Sequence, residues 1–264
     1  MWGIVPAAGR GSRIQPLAFS KELLPVGSRK DRGADRPRAV SEYLIERMVC
    51  AGADKICFVI APGKSDIIEY FGGSFGAAQF AYVVQPQPAG LCDAVFRAAP
   101  VIGDQESVIV GLPDTIWFPN DALRTLPDCD LSFLLFPVKH PQYFDAVLLD
   151  GDRVLEIQVK HANAQSNWIW GAFKMSARCF RDLHSLWKRR QQADEYFGTL
   201  INSYLAEGGR GFGIKAGESY VDVGTLAGYR AAIDLLSSGD HDPLHSAIPS
   251  VSTELDQTST AGEA

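Results

Sequence analysis

Short apolar runs alternate with helix-spaced segments along most of this chain, and the alternation limits the folds open to it. Five runs are rich in Val, Ile and Phe: GIVPA, KICFVIAP, FAYVVQP, SVIVGLPD and LSFLLFPV. Apolar residues three and four positions apart predict helices, most clearly over 39–51 and 91–99. This order of elements predicts an α/β protein with a mostly parallel sheet, whose ligands bind beyond the carboxyl ends of the strands.

Length and composition indicate one globular domain followed by a polar tail. Of the 264 residues, 46% are hydrophobic and 21% are charged, which is an ordinary globular balance. We expect one domain over 1–236 and a disordered tail over 237–264, because the tail is Ser/Thr-rich and has little to bury. The basic stretch 27–38 also has too little apolar content for a regular element. We predict a solvated loop there, with a lid over bound phosphates as the alternative.

Charge and cysteine usage narrow the choice of partners and compartment. The formal net charge is −6 without a basic stripe, which argues against nucleic acid or a membrane surface as the main partner. The five cysteines are scattered and form no C-x-x-C pair, so we expect reduced thiols. The chain shows no leader pattern and no run of eighteen apolar residues. We therefore expect a cytoplasmic protein.

The first apolar run ends in a glycine-rich loop that does not fit two common nucleotide-binding motifs. The loop AAGRGSR contains G-x-G, but Ile14 stands where a dinucleotide-binding motif has its third glycine. The next strand ends in VIAPG and lacks the acidic residue that would bind a ribose. A P-loop ending at PGKSD fails as well, because Phe58 takes the place of its first glycine.

The same loop fits a different kind of anion site. Gly9 and Gly11 leave the backbone bare enough for several N–H groups to face one anion. Arg10 and Arg13 add positive charge beside it. These features predict a polyphosphate site, and the glycines alone leave open a flexible turn with incidental arginines.

The sequence around and beyond the loop resembles a known family. G-x-G-x-R-x-x-P-L and S-K-x-L-L-P-V occupy 9–26, and VVQPQPAGLCDAV, VGLPD, EIQVKHANAQSNWIWGAF and YVDVGT follow in order. This pattern resembles the sugar-1-phosphate nucleotidyltransferases, most closely the glucose-1-phosphate thymidylyltransferases and UTP–glucose-1-phosphate uridylyltransferases. The resemblance runs from Gly3 to about Leu236. It implies a three-layer, Rossmann-like (GT-A-like) α/β fold with a mixed, mostly parallel central sheet.

The resemblance implies roles for the first signature. Such enzymes join a nucleoside triphosphate to a sugar 1-phosphate and expel pyrophosphate, and fixed cations and N–H donors offset the charge that gathers. By resemblance, Arg13 and Lys21 are the catalytic residues, with Lys21 neutralising charge at the α-phosphate. The implied nucleotide-binding residues are Ala8, Gly9, Gly11, Ser12, Arg13, Gln85, Pro88 and Gly90.

The base is expected to be a pyrimidine. In the resembling enzymes, the glutamine that matches Gln85 binds the base edge, and the glycine that matches Gly90 lets the ring approach the backbone. An amide offers a donor and an acceptor together, which suits the imide edge of thymine or uracil. We expect dTTP or UTP, while QPQP alone would also fit a Pro-rich linker.

Two aspartates at strand ends are the expected metal ligands. Asp114 ends VIVGLPD and Asp222 lies in YVDVGT. Mg²⁺ prefers a few carboxylates together with phosphate oxygens and water, so two converging aspartates suit a metal-assisted transfer. Taken singly, each aspartate could instead start a turn or cap a helix.

The resemblance breaks at the positions expected to contact the sugar. Members that use glucose have Asn, Tyr-Gly and Glu-Glu-Lys-Pro where this chain has Thr115, Phe144–Asp145 and Gln158–His161. Val159 accepts no hydrogen bond, and a lost partner for a buried hydroxyl costs about 1–3 kcal/mol. We therefore expect a deoxygenated or otherwise modified sugar phosphate, or a non-sugar phosphate. Its implied contacts are Lys160 on the phosphate, Gly171 beside the sugar and Asp145 in place of the missing carboxylate.

The hypothesis from the sequence is a Mg²⁺-dependent nucleotidyltransferase of nucleotide-sugar biosynthesis. Its expected partners are dTTP or UTP and a phosphorylated small-molecule acceptor, and the resemblance also makes a homo-oligomer possible. Two alternatives stay open: a non-catalytic nucleotide or nucleotide-sugar sensor, and a cytidylyltransferase that acts on phosphocholine or a similar alcohol phosphate.

Overall fold

A computed structural model of the chain describes residues 1–31 and 33–237. Arg32 and the predicted tail from residue 238 onward lie outside the described residues. The strands are β1 (Trp2–Ala7), β2 (Pro25–Asp31), β3 (Ala34–Ala39), β4 (Lys55–Ile60), β5 (Ser74–Phe75), β6 (Ala78–Val84), β7 (Val108–Gly111), β8 (Thr115–Phe118), β9 (Leu131–Pro137), β10 (Asp145–Asp150), β11 (Arg153–Val159), β12 (Trp168–Met175), β13 (Phe212–Ile214) and β14 (Ser219–Asp222). The α-helices are α1 (Val40–Cys50), α2 (Ser65–Phe71), α3 (Gly90–Arg97), α4 (Ala177–Arg189), α5 (Phe197–Ala206) and α6 (Leu226–Ser237).

One mixed sheet of ten strands organises the described chain. Its order is β10-β11-β13-β9-β12-β7-β1-β4-β6-β5. β5, β11 and β12 run opposite to the other seven strands. Parallel neighbours are concentrated in the run β7-β1-β4-β6, whereas antiparallel pairs predominate toward β10. The predicted α/β fold with a mixed sheet is confirmed.

The five apolar runs of the sequence form β1, β4, β6, β7 and β9, and helices cover both faces of the sheet. Side chains alternate between the faces along β1, so that Ile4 and Val5 belong to different apolar clusters. Residues of α1 and α2 pack on the side of Val5, and residues of α3, α4 and α5 pack on the side of Ile4. The core therefore consists of two apolar layers, one on each face.

Two short strand pairs stand apart from the large sheet. β8 pairs with β14, and β2 pairs with β3. A third apolar cluster joins them to α1 and α6, through side chains that include Val26, Phe118, Val223 and Ala232. This cluster fixes the position of the β8–β14 pair relative to the edge of the sheet.

The prediction of an irregular loop over 27–38 is wrong. Residues 27–31 and 34–38 lie in the antiparallel strands β2 and β3. The hairpin is attached to α1 by ion pairs from Arg29 to Glu42 at 3.0 Å and from Arg38 to Glu46, and the Arg38 guanidinium stacks 3.6 Å above the ring of Tyr43. Charged side chains replace the apolar alternation that sequence reasoning relies on, so the strands were missed. Arg38 is buried in this contact, which argues against a phosphate lid built on it.

The described residues contain no disulfide and no membrane-spanning helix. All five cysteines are free thiols. None of the described helices combines the length and the apolar character that a membrane span requires.

α4 carries a histidine in an aromatic cluster. Its first turn is capped by Ser176, whose hydroxyl accepts the N–H of Cys179 at 3.1 Å. On the buried side of the helix, the ring of His184 stacks on Phe96, with centroids 4.9 Å apart and planes 13° apart. Burial lowers the pKa of His184, and the charge of Lys188 lowers it further. The folded state therefore favours the neutral imidazole.

We expect His184 to make the fold acid-sensitive. Because its pKa is lower in the folded than in the unfolded chain, stability is lost as pH falls below the unfolded value of about 6.5. His184→Phe keeps an aromatic ring but cannot be protonated, so its urea midpoint should fall less between pH 7.5 and pH 5.5 than that of the wild type. His140→Phe, at an exposed position, is the control. Its urea midpoint should fall between pH 7.5 and pH 5.5 by as much as that of the wild type. Equal pH dependence in all three proteins would refute this role.

Candidate active site

Four sequence motifs lie at one edge of the sheet. β1, β4 and β6 are parallel and in register, with Ala7 opposite Ile60 and Ile60 opposite Val84. The glycine loop, PGKSD and QPQPAGL therefore start at the same height, one after each strand. VGLPD begins at the end of β7 and continues beyond it, and β7 pairs in parallel with the other side of β1. The four segments that carry candidate site residues thus meet at the carboxyl ends of parallel strands.

The glycine loop wraps around the side chain of Lys21. Gly11 has φ +65°, a conformation that favours glycine. A Cβ on Gly11 would lie 2.8 Å from Cδ of Lys21, and one on Gly9 would lie 3.8 Å from its Nζ. Ala8 is buried, whereas Gly9 and Ser12–Arg13 are exposed. The loop therefore presents bare backbone to solvent directly beside the lysine.

Lys21 forms an ion pair with Asp114. The ammonium donates to Oδ2 of the carboxylate, and the two side chains are only 14% and 12% exposed. Burial lowers the pKa of Lys21, but the charges of Asp114, Glu22 and Asp222 outweigh it, so the pKa is raised overall. Burial raises the pKa of Asp114, but Lys21 more than reverses this and holds it below its ordinary value. Both groups are therefore charged at neutral pH.

Asp114 and Asp222 converge, as the hypothesis requires. Asp222 lies opposite Thr115 in the β8–β14 ladder, and the N–H of Val223 donates to the carbonyl of Asp114 at 2.8 Å. A Cβ on Gly224 would lie 2.8 Å from Oδ1 of Asp222 and 3.2 Å from Oδ2 of Asp114. Both carboxylates therefore face one small volume, although they come from distant parts of the sequence.

Arg13 completes the cluster. One of its guanidinium nitrogens donates to Oδ2 of Asp222 at 3.0 Å, and the other lies 3.0 Å from the Cβ position of Gly224. Two cations and two anions are thereby gathered beside the glycine loop. Their charges balance without any other ligand.

The two carboxylates fit a divalent cation that is shared with a substrate. Mg²⁺ is usually held by one or two carboxylates, waters and phosphate oxygens. Among the described residues, no group of three or more His, Cys, Asp or Glu side chains is arranged to hold a metal. Asp114 and Asp222 supply two carboxylates but no closed cage, which is the donor set that suits Mg²⁺ together with a phosphate.

The segment that carries the lysine is held by two residues that sequence analysis missed. The carboxylate of Asp66 accepts hydrogen bonds from the backbone N–H and the hydroxyl of Ser20, at 2.6 and 2.7 Å. The ammonium of Lys64 donates to Glu22 at 2.7 Å and to the carbonyl of the last residue of β1 at 2.6 Å. Both belong to PGKSD, the segment that fails as a P-loop because Phe58 takes the place of its first glycine. Their position after a parallel neighbour of β1 was the available signal.

Gln85 is buried, and two acceptors orient its amide. Nε2 donates to the carboxylate of Asp93 at 2.8 Å and to the carbonyl of Gly90 at 3.2 Å. Because both partners can only accept, Oε1 points away from them. Gly90 has φ +84°, and a Cβ there would lie 2.5 Å from the carbonyl oxygen of Glu195. That side of Gly90 is thus packed against backbone, while Pro88 is exposed.

The predicted acceptor residues lie toward the antiparallel end of the sheet. Asp145 begins β10 and is half-buried; burial raises its pKa, against the opposing effects of Lys160 and the indole N–H of Trp170. Lys160 is exposed, with its ammonium 4.4 Å from the ring centroid of Tyr196. The charges of Asp145 and Lys160 therefore influence each other across this region.

Tyr220 occupies the space beside Gly171. A Cβ on Gly171 would lie 2.7 Å from Cε2 of Tyr220, so the phenol ring fills the place of the missing side chain. Burial raises the pKa of Tyr220 well above its ordinary value, and the charges of Asp222, Asp114 and Asp145 raise it further. Tyr220 therefore lies next to Gly171, one of the predicted acceptor residues, and two residues before Asp222 in the same strand. We did not identify it from YVDVGT, although it lies two residues before Asp222.

Comparisons with known proteins agree with the resemblance. A family model described as nucleotidyl transferase matches residues 2–238. The chain is 27% identical over 244 residues to glucose-1-phosphate thymidylyltransferase of Neisseria meningitidis serogroup A / serotype 4A, which covers 85% of this chain and 78% of that protein.

Solved structures show the same fold. A Bacillus anthracis protein described as a glucose-1-phosphate thymidylyltransferase, crystallised with a sucrose, superposes with a TM-score of 0.74 at 21% identity over 89% of this chain and 95% of that one. A UDP-glucose pyrophosphorylase complexed with UDP-glucose gives 0.71 at 19% identity over 90% and 98%. With its fold, its motif order and the family match in agreement, the chain belongs to the nucleotidyl transferase family.

Proposed function

We propose that the chain transfers a nucleoside monophosphate from dTTP or UTP to a sugar 1-phosphate or related phosphorylated acceptor, releasing pyrophosphate. The observation that carries this proposal is the convergence of Lys21, Arg13, Asp114 and Asp222 beside the glycine loop. The family membership supports it, as do the names of the relatives. Cytoplasmic location, the Rossmann-like (GT-A-like) classification and homo-oligomerisation remain predictions.

The reaction brings two anions together, so the site must manage charge. A phosphate oxygen of the acceptor attacks the α-phosphorus in line, the bond from that phosphorus to the β-bridging oxygen breaks, and pyrophosphate leaves with the electron pair. Lys21 stabilises the charge at the α-phosphate, and Arg13 with the loop N–H groups binds the β- and γ-phosphates. Fixed cations and donors of this kind stabilise the transition state without reorganisation.

Asp114 and Asp222 would hold Mg²⁺ together with the triphosphate. When bound, the ion would neutralise phosphate charge and orient the phosphates. The two aspartates then have a second task, which is to keep Lys21 and Arg13 in place before substrate binds.

The orientation of Gln85 supports a uracil or thymine base. Its N–H donors are engaged by Asp93 and Gly90, which leaves Oε1 as an acceptor. If Oε1 faces position 3 of the base, the N3–H of uracil or thymine can donate to it, whereas N3 of cytosine carries no proton and would repel it. Cytosine could donate to this oxygen only through its 4-amino group, from a shifted position. This favours dTTP or UTP over the CTP of the cytidylyltransferase alternative.

A substrate panel tests the proposal. Purified protein with Mg²⁺ is incubated with dTTP, UTP or CTP and with glucose 1-phosphate, deoxyglucose 1-phosphates or phosphocholine, and pyrophosphate release is followed with mass spectrometry of the product. We expect transfer from dTTP or UTP to a sugar phosphate. Triphosphate binding without transfer to any acceptor would favour the sensor instead, because a sensor needs no turnover.

Removing either aspartate charge should abolish most of the turnover. We expect Asp114→Asn and Asp222→Asn each to lower kcat about 100-fold or more, the scale typical of losing one element of transition-state charge stabilisation. Pyrophosphate release at millimolar Mg²⁺ measures the effect. Asp128→Asn is the matched control, because its side chain is 92% exposed and pairs with Lys174. Wild-type turnover in both site variants would disprove the metal assignment.

Asp93 should control the choice of base through Gln85. Asp93→Asn supplies an amide that can donate as well as accept, so only the longer bond to the Gly90 carbonyl still favours the present orientation of the Gln85 amide, and the turned amide can offer N–H to cytosine. We expect the ratio of kcat/KM for CTP to that for UTP to rise about tenfold, corresponding to one net hydrogen bond. Arg97→Met removes the other partner of Asp93 but keeps the carboxylate, and should leave this ratio unchanged. An unchanged ratio in Asp93→Asn would remove Gln85 from base recognition.

A further inference from the structure

Asp145 is a half-buried acid without a fixed cation. Lys160 acts on its carboxylate only as a neighbouring charge, and the indole N–H of Trp170 acts on it as a donor. Ionised groups that leave bulk water are normally paired or bind a ligand. One indole N–H does not fill the acceptor capacity of a carboxylate, so Asp145 can still accept from a donor that is not part of the chain.

The position of Asp145 links it to the reaction centre. Tyr220 lies two residues before Asp222, and its ring packs edge-on against Phe144, the residue before Asp145, with centroids 5.9 Å apart. The Cβ position of Gly171 lies 2.7 Å from Cε2 of the same ring. Asp145 is thus connected through two packed rings to the segment of Asp222, and it lies at the antiparallel end of the sheet, on the strand β10.

The neighbouring wall is apolar. Asp145 lies directly opposite Val159 in the β10–β11 ladder, so the two side chains share one face of the sheet. A Cβ on Gly198, where α5 meets β11, would lie 2.7 Å from Cγ2 of Val159 and of Ile157 and 3.4 Å from Oδ2 of Asp145. Gly198 is buried, so Cγ2 of Val159 and of Ile157 pack against α5 at this point, next to one carboxylate oxygen. Val159 and Asp145 are themselves only half-buried, so their exposed parts place an apolar surface beside a carboxylate. This combination favours a ligand with an apolar edge next to one hydrogen-bond donor.

We propose that Asp145 determines acceptor specificity by binding one hydroxyl of a deoxy sugar phosphate whose deoxygenated edge faces Val159. This rests on the proposed function. A fully hydroxylated sugar would place a hydroxyl against Val159 without a partner. The site thereby favours a deoxy sugar 1-phosphate over glucose 1-phosphate.

Exchanging the two opposed residues tests the proposal. The wild type should use at least one of 2-, 3-, 4- and 6-deoxyglucose 1-phosphate about tenfold or more better than glucose 1-phosphate in kcat/KM, because an unpaired buried hydroxyl has about that cost. Asp145→Gly/Val159→Glu moves the carboxylate to β11 and should reverse this preference, with KM for UTP or dTTP unchanged. Val159→Glu alone puts two carboxylates opposite each other, which is unfavourable, so its activity should fall below that of the double variant.

Asp145→Asn is a smaller change that tests the role of the charge even if the double variant does not fold. It keeps the shape and one acceptor oxygen but removes the charge, so kcat/KM for the preferred sugar phosphate should fall about tenfold while KM for the nucleotide stays the same. Asp150→Asn, at the exposed other end of β10, is the control for an acid-to-amide change in the same strand and should match the wild type in this assay.

The outcomes separate the two proposals. A wild type that transfers to no acceptor in the panel refutes the proposed function itself. An active wild type that prefers glucose 1-phosphate or phosphocholine refutes the acceptor inference alone. An active wild type whose relative kcat/KM values among sugar phosphates stay within twofold in Asp145→Asn and in the double variant also refutes it, because Asp145 would then have no part in specificity.

Discussion

The antiparallel pairing of β8 with β14 is the constraint on which the candidate site depends. It places Asp222 opposite Thr115, next to Asp114, and the apolar cluster behind it holds the pair in place through Ile116, Phe118 and Val223. Two like charges held about 4 Å apart at a protein surface repel by about 4 kcal/mol. The fold holds these carboxylates together because Lys21 and Arg13 supply equal positive charge at the same point.

The two cations are held differently, and this suggests how they act. The side chain of Arg13 is 62% exposed in its pair with Asp222, whereas that of Lys21 is 14% exposed in its pair with Asp114. An exposed pair contributes about 0–1 kcal/mol, so Arg13 can leave Asp222 for a phosphate at little cost. Lys21 is confined by the glycine loop and by the segment around it. On the proposed function, Arg13 is a movable phosphate ligand and Lys21 a fixed one.

Much of the fold and part of the site could be predicted from the sequence, because both follow from local patterns. The apolar runs became strands and the glycine loop followed β1. The aspartates of VGLPD and YVDVGT were paired by resemblance, and the structure brings them together. The β2–β3 hairpin was missed because Arg29 and Arg38 stabilise it through Glu42 and Glu46, contacts between segments that periodicity does not register. Lys64 and Asp66 were missed for the same reason, since their partners lie on another loop.

Those missed contacts explain how a lysine can be fixed in a loop region. The helical turn that contains Lys21 is only three residues long and cannot hold its own geometry. Asp66 fixes the residue before it and Lys64 fixes the residue after it, and both come from the segment that follows β4. The position of Lys21 is thus fixed relative to the parallel strands β1 and β4. Preorganised charge of this kind is effective because it need not reorganise when charge develops.

The predicted acceptor residues lie on a different part of the sheet from the strands that position Lys21. Asp145 and Val159 belong to the antiparallel pair β10–β11, and the ring of Tyr220 packs against Phe144, the residue before Asp145. On the acceptor proposal, a substitution on β10 or β11 changes the surface offered to the acceptor at strands that do not pair with β1 or β4. This separation would let the chain keep the charges of its first signature while the positions predicted to contact the sugar depart from the family pattern. Moving the carboxylate from Asp145 to the position of Val159 would then be a change of position on one antiparallel ladder and not of fold.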